Sequence, residues 1–257
     1  MSIIALYHIK GGVGKTAAAV NLSYLAAQDG AKTLLIDLDP QGSASYYFRV
    51  RPSRNFKTRL LLKGGKKVDK NIKGTDYKNL DILPATLSYR KLDLRLNGLK
   101  KSRLILKEVL QPLEQEYKFI FIDSPPSITL VSENIFHAAT ILLVPVIPTT
   151  LSILTYEKLV QFFKDQKLEK SKIIAFFSMV EKRKKMHRDI MSAIFEQEKG
   201  GFLNSFIPYS ADVENMGIHR EPVLCFKPNS IGSESYRAIW SELKQFFTPG
   251  DLYAKAE

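Results

Sequence analysis

One cysteine, Cys225, stands in a chain of 257 residues. A single thiol excludes an internal disulfide framework and a cysteine-held metal cluster within one chain, and it fits a reducing cytoplasm. Also missing is any run of about 18 apolar residues, so no segment reads as a membrane-spanning helix. The opening Met1-Ser2-Ile3-Ile4-Ala5-Leu6-Tyr7 lacks the basic start and longer apolar stretch of a signal peptide. Internal repeats, long linkers and low-complexity tracts are absent too, which leaves one domain over residues 1–257 as the expectation. Acidic residues are scarce: 26 Asp and Glu face 38 Lys and Arg, for a formal charge of +12. Such an excess attracts polyanions, with nucleic acid or an anionic membrane as candidates against the plainer reading of a solvated basic surface.

What is present alternates short β-branched runs with longer amphipathic stretches, the pattern of parallel strands joined by helices. Strands are predicted at Ile3 to Tyr7, Thr33 to Leu38, Leu80 to Pro84, Lys118 to Asp123, Thr140 to Val146, Ile173 to Val180 and, very short, Phe206 to Pro208. KFIFID is almost uniformly apolar before its aspartate, as a central strand covered on both faces should be. Helices are predicted at Thr16 to Asp29, closed by Gly30, and at Ser102 to Tyr117, Ser152 to Gln166, His187 to Glu198 and Glu234 to Phe247. The stretch from Arg51 to Lys78 holds ten basic residues against Asp69 and Asp76 and reads as a loop-rich insertion on the sheet's rim.

The strongest local signal is Lys10-Gly11-Gly12-Val13-Gly14-Lys15-Thr16, between a predicted strand and a predicted helix. That context turns a glycine-rich segment into a phosphate-binding loop. Backbone N–H groups of Gly11, Gly12, Val13, Gly14, Lys15 and Thr16 would face phosphates, helped by the positive end of the following helix. Lys15 is positioned for the β- and γ-phosphates of ATP and the Thr16 hydroxyl for Mg²⁺. Asp123, closing its strand, is the candidate carboxylate for a magnesium-bound water.

KGGVGKT, LLIDLDPQGSAS and FIDSPPS together resemble the ParA/MinD group of deviant Walker A ATPases. LDILPA, LLVPVIPTTLS, IPYSADVENMGIHREPV and YRAIWSEL extend the resemblance over nearly the whole chain. It implies a single-domain, doubly wound α/β fold with a mainly parallel sheet and helices on both faces. The short N-terminus is like that of ParA proteins without an added helix-turn-helix domain. The resemblance makes Lys10 the lysine that crosses to the phosphates of a partner subunit in an ATP-dependent homodimer. It makes Asp39 a water-orienting carboxylate, Asp37 a further magnesium contact, and Pro208 and the position of Ala17 nucleotide contacts. It also implies slow hydrolysis stimulated by a ParB-like adaptor, non-specific DNA binding and a nucleoid-associated cytoplasmic protein.

Some positions depart from the family pattern. Ala17 replaces a threonine that touches the α-phosphate, Ser178 stands where an adenine-reading asparagine is frequent, and Thr149 replaces an acidic residue. Asn229 and Ile231 occupy positions that are commonly basic and used for DNA. Other basic residues remain for that purpose: Lys182, Arg183, Lys184 and Lys185, then Lys199 and Arg220. The rival within the family is a MinD-like membrane-associated ATPase, with the C-terminal segment as its amphipathic helix. Pro249-Gly250 and mixed charge argue against that, and the spacing of Trp240, Leu243, Phe246 and Phe247 fits core packing better. A metabolic P-loop enzyme is the alternative from another class, and a binding module without hydrolysis follows if Asp39 is misplaced.

Overall fold

A computed structural model describes residues 2–197 and 201–247, so Lys199 and the Pro249-Gly250 break lie outside the described residues. Its centre is a seven-stranded sheet. The strands are β1 (Ser2–Leu6), β2 (Thr33–Asp37), β3 (Lys73–Gly74), β4 (Leu80–Leu83), β5 (Phe119–Asp123), β6 (Ile141–Val146) and β7 (Ile173–Phe177). Their order is β3-β4-β2-β5-β1-β6-β7, parallel throughout except for the two-residue β3. The order reverses on either side of β1, the switch point where an open parallel sheet leaves a crevice beyond its strand tips.

The uniformly apolar strands follow from burial on both faces. In β1 and the residue after it, Ile3, Ala5 and Tyr7 enter one hydrophobic cluster, and Ile4 and Leu6 enter the other. In β5, Ile120 and Ile122 face one way and Phe119 and Phe121 the other. Helices Lys15–Gln28 and Ile231–Leu243 cover one face, and Leu130–Ala138 and Thr150–Asp165 cover the opposite one. Lys15–Gln28 is buried almost all round, because it lies between the sheet and helix Ile231–Leu243. Among the described residues no helix is long and apolar enough to cross a membrane.

Several boundaries move for identifiable reasons. The helix predicted over 102–117 is helical only at Ile105–Leu110, and the chain continues as a 3-10 turn, Gln111–Gln115, with Pro112 near its start. Proline has no N–H to continue the ladder and crowds the preceding carbonyl. The strand predicted to reach Val180 ends at Phe177, and Met179 then takes a left-handed φ of 53°. No strand forms at 206–208; Pro208 makes only an isolated bridge to Val180. The segment Leu92–Asn97, unassigned from sequence, forms a short helix. The Arg51 to Lys78 insertion carries helices Thr58–Leu61 and Lys66–Asp69 and is anchored by Phe56, Leu61 and Val68, all buried in the main cluster.

Most of the apolar residues expected to pack near the C-terminal end are core, whereas Phe246 is exposed. Trp240, Leu243 and Phe247 are buried, and the Trp240 ring meets Phe119 edge-on at 5.4 Å. Its Nε1–H donates to Asp29 Oδ2 at 2.9 Å, tying the last long helix to the first. Trp240→Ala is expected to cost about 3–5 kcal/mol, the range for emptying a large aromatic site, read as a lower midpoint in urea unfolding.

Candidate functional site

Gly12 and Gly14 adopt φ of 72° and 94°, which side-chain-bearing residues rarely tolerate. These two turns aim the loop's backbone outward and start helix Lys15–Gln28 without a side-chain cap. Its first N–H groups are thereby left for an external acceptor. A Cβ at Gly14 would also lie 2.9 Å from Ser178 Oγ. Ser178 is thus a buried buttress behind the loop, and Met179 next to it lines the cavity instead.

The loop surrounds a cavity of about 370 Å³. Gly11, Gly12, Gly14, Lys15, Thr16, Ala17 and Asp39 all line it, joined by Gln41, Tyr47, Pro126, Val213 and Glu214. Val13 is buried and does not line it. Pro208 lies elsewhere: it lines a different cavity of about 800 Å³ that includes Lys182, Arg183 and Tyr209.

Lys15 is buried, and its ammonium donates to the carbonyl of Lys10 at 3.0 Å. Burial lowers its pKa, opposed by the charges of Asp123 and Asp39. Lys10 is held by its backbone on two sides. Its carbonyl takes the Lys15 ammonium, and its N–H donates to His8 Nδ1 at 3.0 Å. The Lys10 ammonium itself makes no hydrogen bond or ion pair among the described residues. His8 is fully buried, and burial, with Lys15 and Lys10 close by, pushes its pKa down to about 4. Neutral at physiological pH, it can accept from the Lys10 N–H.

Behind the loop, β2 and β5 end side by side with Asp37 in register with Asp123. Asp37 Oδ2 accepts from the Ser45 N–H at 2.8 Å and hydroxyl at 2.7 Å, while Oδ1 is buried with no partner. Burial pushes its pKa up to about 6, against the Ser45 hydrogen bonds that favour the charged form. Asp123 is more extreme. Both its oxygens are buried without a hydrogen bond of ordinary geometry. Burial first, and the Asp37 charge second, raise its pKa well above the carboxylate range; the nearby Thr16 hydroxyl and Lys15 offset part of this. Asp39 is half-exposed, and its Oδ1 accepts from the Gln41 N–H at 2.9 Å.

These residues fit a magnesium ion that arrives with a nucleotide. Among the described residues no three His, Cys, Asp or Glu side chains converge as a self-sufficient metal site. Magnesium favours just such incomplete sites, completing its shell with phosphate oxygens and water. The orphaned oxygens of Asp123 and Asp37, beside the Thr16 hydroxyl, are the acceptors such a water shell would satisfy.

Sequence reasoning missed His8, Ser45 and the loop-buttressing role of Ser178. Ser45 lies in the quoted LLIDLDPQGSAS segment, where a hydroxyl eight residues after an acidic strand end was the available signal. Nothing local marked His8. The predicted basic residues do not converge either. Arg220 lies over the Tyr46 ring at 4.4 Å, whereas Lys182 to Lys185 form an exposed run after β7, with Lys184 paired to Glu181.

An AAA-domain family model matches residues 1–176. The sporulation initiation inhibitor protein Soj of Bacillus subtilis is 27% identical over 249 residues, covering 94% of this chain and 97% of that protein. A solved plasmid partition protein of Borrelia burgdorferi bound to AMPPNP superposes with TM-score 0.82 at 24% identity, covering 95% of this chain and 99% of the other. A cobyrinic acid a,c-diamide synthase of Mycobacterium smegmatis, solved with an ATP analogue and magnesium, gives TM-score 0.80 at 22% identity, covering 97% of each chain.

Asp123 also yields a stability test. Its carboxyl titrates higher in the fold than in the unfolded chain. Its contribution is therefore intact at acid pH and lost as pH rises through the folded value. Asp123→Asn is expected to melt higher than wild type without nucleotide at pH 7, by about 1–3 kcal/mol, with the gain vanishing near pH 4. Thermal unfolding at the two pH values checks it.

Proposed function

The chain belongs to the ParA/MinD family of P-loop ATPases, matched through its AAA-domain model, and from that premise we propose a positioning cycle built on its two loop lysines. In this reading two protomers close face to face over ATP, the dimer binds DNA without sequence preference, and hydrolysis releases it to move or space a cargo. One observation carries the proposal. The Lys10 backbone is fixed on both sides while its ammonium is left without a partner among the described residues. A cation held ready but unused suits a phosphate supplied across a dimer interface.

The remaining roles follow from position. Lys15 exchanges the Lys10 carbonyl for the β- and γ-phosphates, and the backbone from Gly11 to Thr16 cradles them. Thr16, Asp37 and Asp123 are the residues that would hold a magnesium ion and its waters, and the ion would supply charge neutralisation for the phosphate oxygens. Asp39, half-exposed in the cavity and acceptor for the Gln41 N–H, orients the attacking water in line with the γ-phosphate. The missing hydroxyl at Ala17 removes one α-phosphate contact, about 1 kcal/mol of affinity. Lys182, Arg183, Lys184, Lys185 and Arg220 are the DNA contacts of this reading, and a ParB-like adaptor stimulates turnover.

Three substitutions separate the roles. Lys15→Ala is expected to lose ATP binding by more than tenfold. Lys10→Ala is expected to keep ATP binding and fail to dimerise, and an ATP-dependent dimer of normal mass by light scattering would contradict the trans assignment. Asp39→Ala is expected to dimerise, stay on DNA and release phosphate at least tenfold more slowly.

A further inference from the structure

Arg220 closes helix Met216–His219 with φ of 55°, a left-handed backbone that costs a side-chain-bearing residue energy and glycine almost none. Lys101 and Lys167 take similar φ, yet their side chains make no hydrogen bond or ion pair among the described residues. The Arg220 side chain is engaged. Its Nε donates to the Tyr46 carbonyl at 3.2 Å, and its guanidinium carbon lies 4.4 Å from the centroid of the Tyr46 ring. A strained backbone that delivers an engaged side chain points to a task for that side chain.

The two segments joined in this way are different walls of the nucleotide cavity. Helix Ser43–Tyr47, which carries Tyr46, gives Ser43 and Tyr47 to the lining beside Asp39 and Gln41. The segment that ends at Arg220 gives Val213 and Glu214. Each wall has its own anchor. Ser45 ties the first to Asp37 and, through the Ala85 N–H at 2.9 Å, to the chain after β4. Asn21, fully buried on helix Lys15–Gln28, ties the second. Its Nδ2 donates to Met216 Sδ at 3.3 Å and to the Ala17 carbonyl at 2.8 Å, and its Oδ1 accepts the Val223 N–H at 2.9 Å. Among the described residues, the bond from Arg220 is the one hydrogen bond that fastens Ser43–Tyr47 to the segment 213–220.

We propose that Arg220 is a positioning residue for the nucleotide: it clasps the two walls together through Tyr46 and sets their spacing before the nucleotide enters. A wall already in place does not have to be ordered on binding, and that saved ordering is retained as affinity. Arginine suits the task because one planar group can lie on the ring and donate from its edge at the same time. Tyr46 takes only Nε; Nη1 and Nη2 make no hydrogen bond or ion pair among the described residues, which leaves them for the DNA contact proposed above. The inference rests on the proposed function only in that a nucleotide fills this cavity. It needs neither a dimer nor DNA.

Calorimetric titration with ADP and magnesium tests it, since ADP lacks the γ-phosphate that Lys10 would contact across a dimer. Arg220→Gly removes the clasp and relieves the left-handed backbone in one step. It is expected to bind ADP about fivefold more weakly than wild type, the size of one exposed cation–ring contact with its hydrogen bond. Its urea midpoint is expected to stay level or rise, whereas loss of a merely structural residue would lower midpoint and affinity together. Arg220→Lys keeps the charge without the planar fork and is expected to weaken binding as well. Tyr46→Ala should cost a similar factor, and Arg220→Gly/Tyr46→Ala should bind no more weakly than the worse single variant, because both remove the same contact. Wild-type affinity in either Arg220 variant overturns the clasp. So do additive losses in the double variant, and so does weaker binding in Arg220→Gly with a lower urea midpoint. No ADP binding by wild type overturns instead the nucleotide reading on which the proposed function stands.

Discussion

Two carboxylates taken out of water side by side set the terms for the rest of the site. Asp37 and Asp123 end adjacent parallel strands in register, where both are buried. Like charges in such a position disfavour ionisation of both, and the fold supplies few compensating donors. Ser45 gives Asp37 two hydrogen bonds, and Asp123 receives only the proximity of Thr16 and Lys15. The buried Lys15 has the mirror problem, since its ammonium finds one carbonyl and two distant carboxylates. The resting loop is thus internally short of partners for both signs of charge. A nucleotide with magnesium supplies both at once: phosphate for the lysine, and a cation with its waters for the carboxylates. Binding therefore stabilises the fold as well as filling the cavity.

The architecture that holds this pair apart from water is the part most legible in sequence. Apolar runs such as FIFID and LLID bury both faces, and only their terminal aspartates break the pattern, which is why strand ends could be read as site positions. Lys15, Thr16 and Asp39 were legible for the same reason: they sit at fixed offsets from elements with strong periodicity, and the structure gathers them into one cavity. Contacts set by tertiary approach were not legible. Ser178 supports Gly14 because β7 ends beside it, whereas the His8 contact to Lys10 is local, two residues apart, and depends on a turn that the sequence does not mark. Pro112 was visible as a letter, but its effect on the helix was outweighed in reading by the apolar spacing around it. Phe56, Leu61 and Val68 were hidden among ten basic residues, so an insertion anchored in the core read as a rim loop.

Charge obeys a different logic from the core. The excess of basic residues is spread over both ends of the sheet instead of forming a single face. The run after β7 is partly self-paired through Glu181, and Arg220 is held by one hydrogen bond to the Tyr46 carbonyl and by its ring. Lys57, Arg59, Arg90, Lys91 and Arg95 make no ion pair among the described residues. The formal charge of the chain therefore understates the difference between its regions, because a paired lysine and an unpaired one count equally in the sum.

The two lysines of the loop show how one backbone can keep two jobs separate. Lys15 must enter the protein to reach phosphates from inside the cavity, and its burial lowers its pKa unless an anion is close. Lys10 must stay out, so its position is fixed through its main chain and not through its ammonium. His8 is suited to that task because burial beside two cations lowers its pKa to about 4, which leaves Nδ1 free to accept at neutral pH. A protonated imidazole would offer a donor where Lys10 also offers one, and the turn would open. Lys15 meanwhile holds the Lys10 carbonyl only until phosphate competes for the same ammonium. In the proposed cycle, filling the cavity would release one of the two restraints on Lys10 and leave the His8 restraint in place. Nucleotide capture in one protomer would in this way be wired to the group offered to its partner, through six residues of backbone and no moving domain.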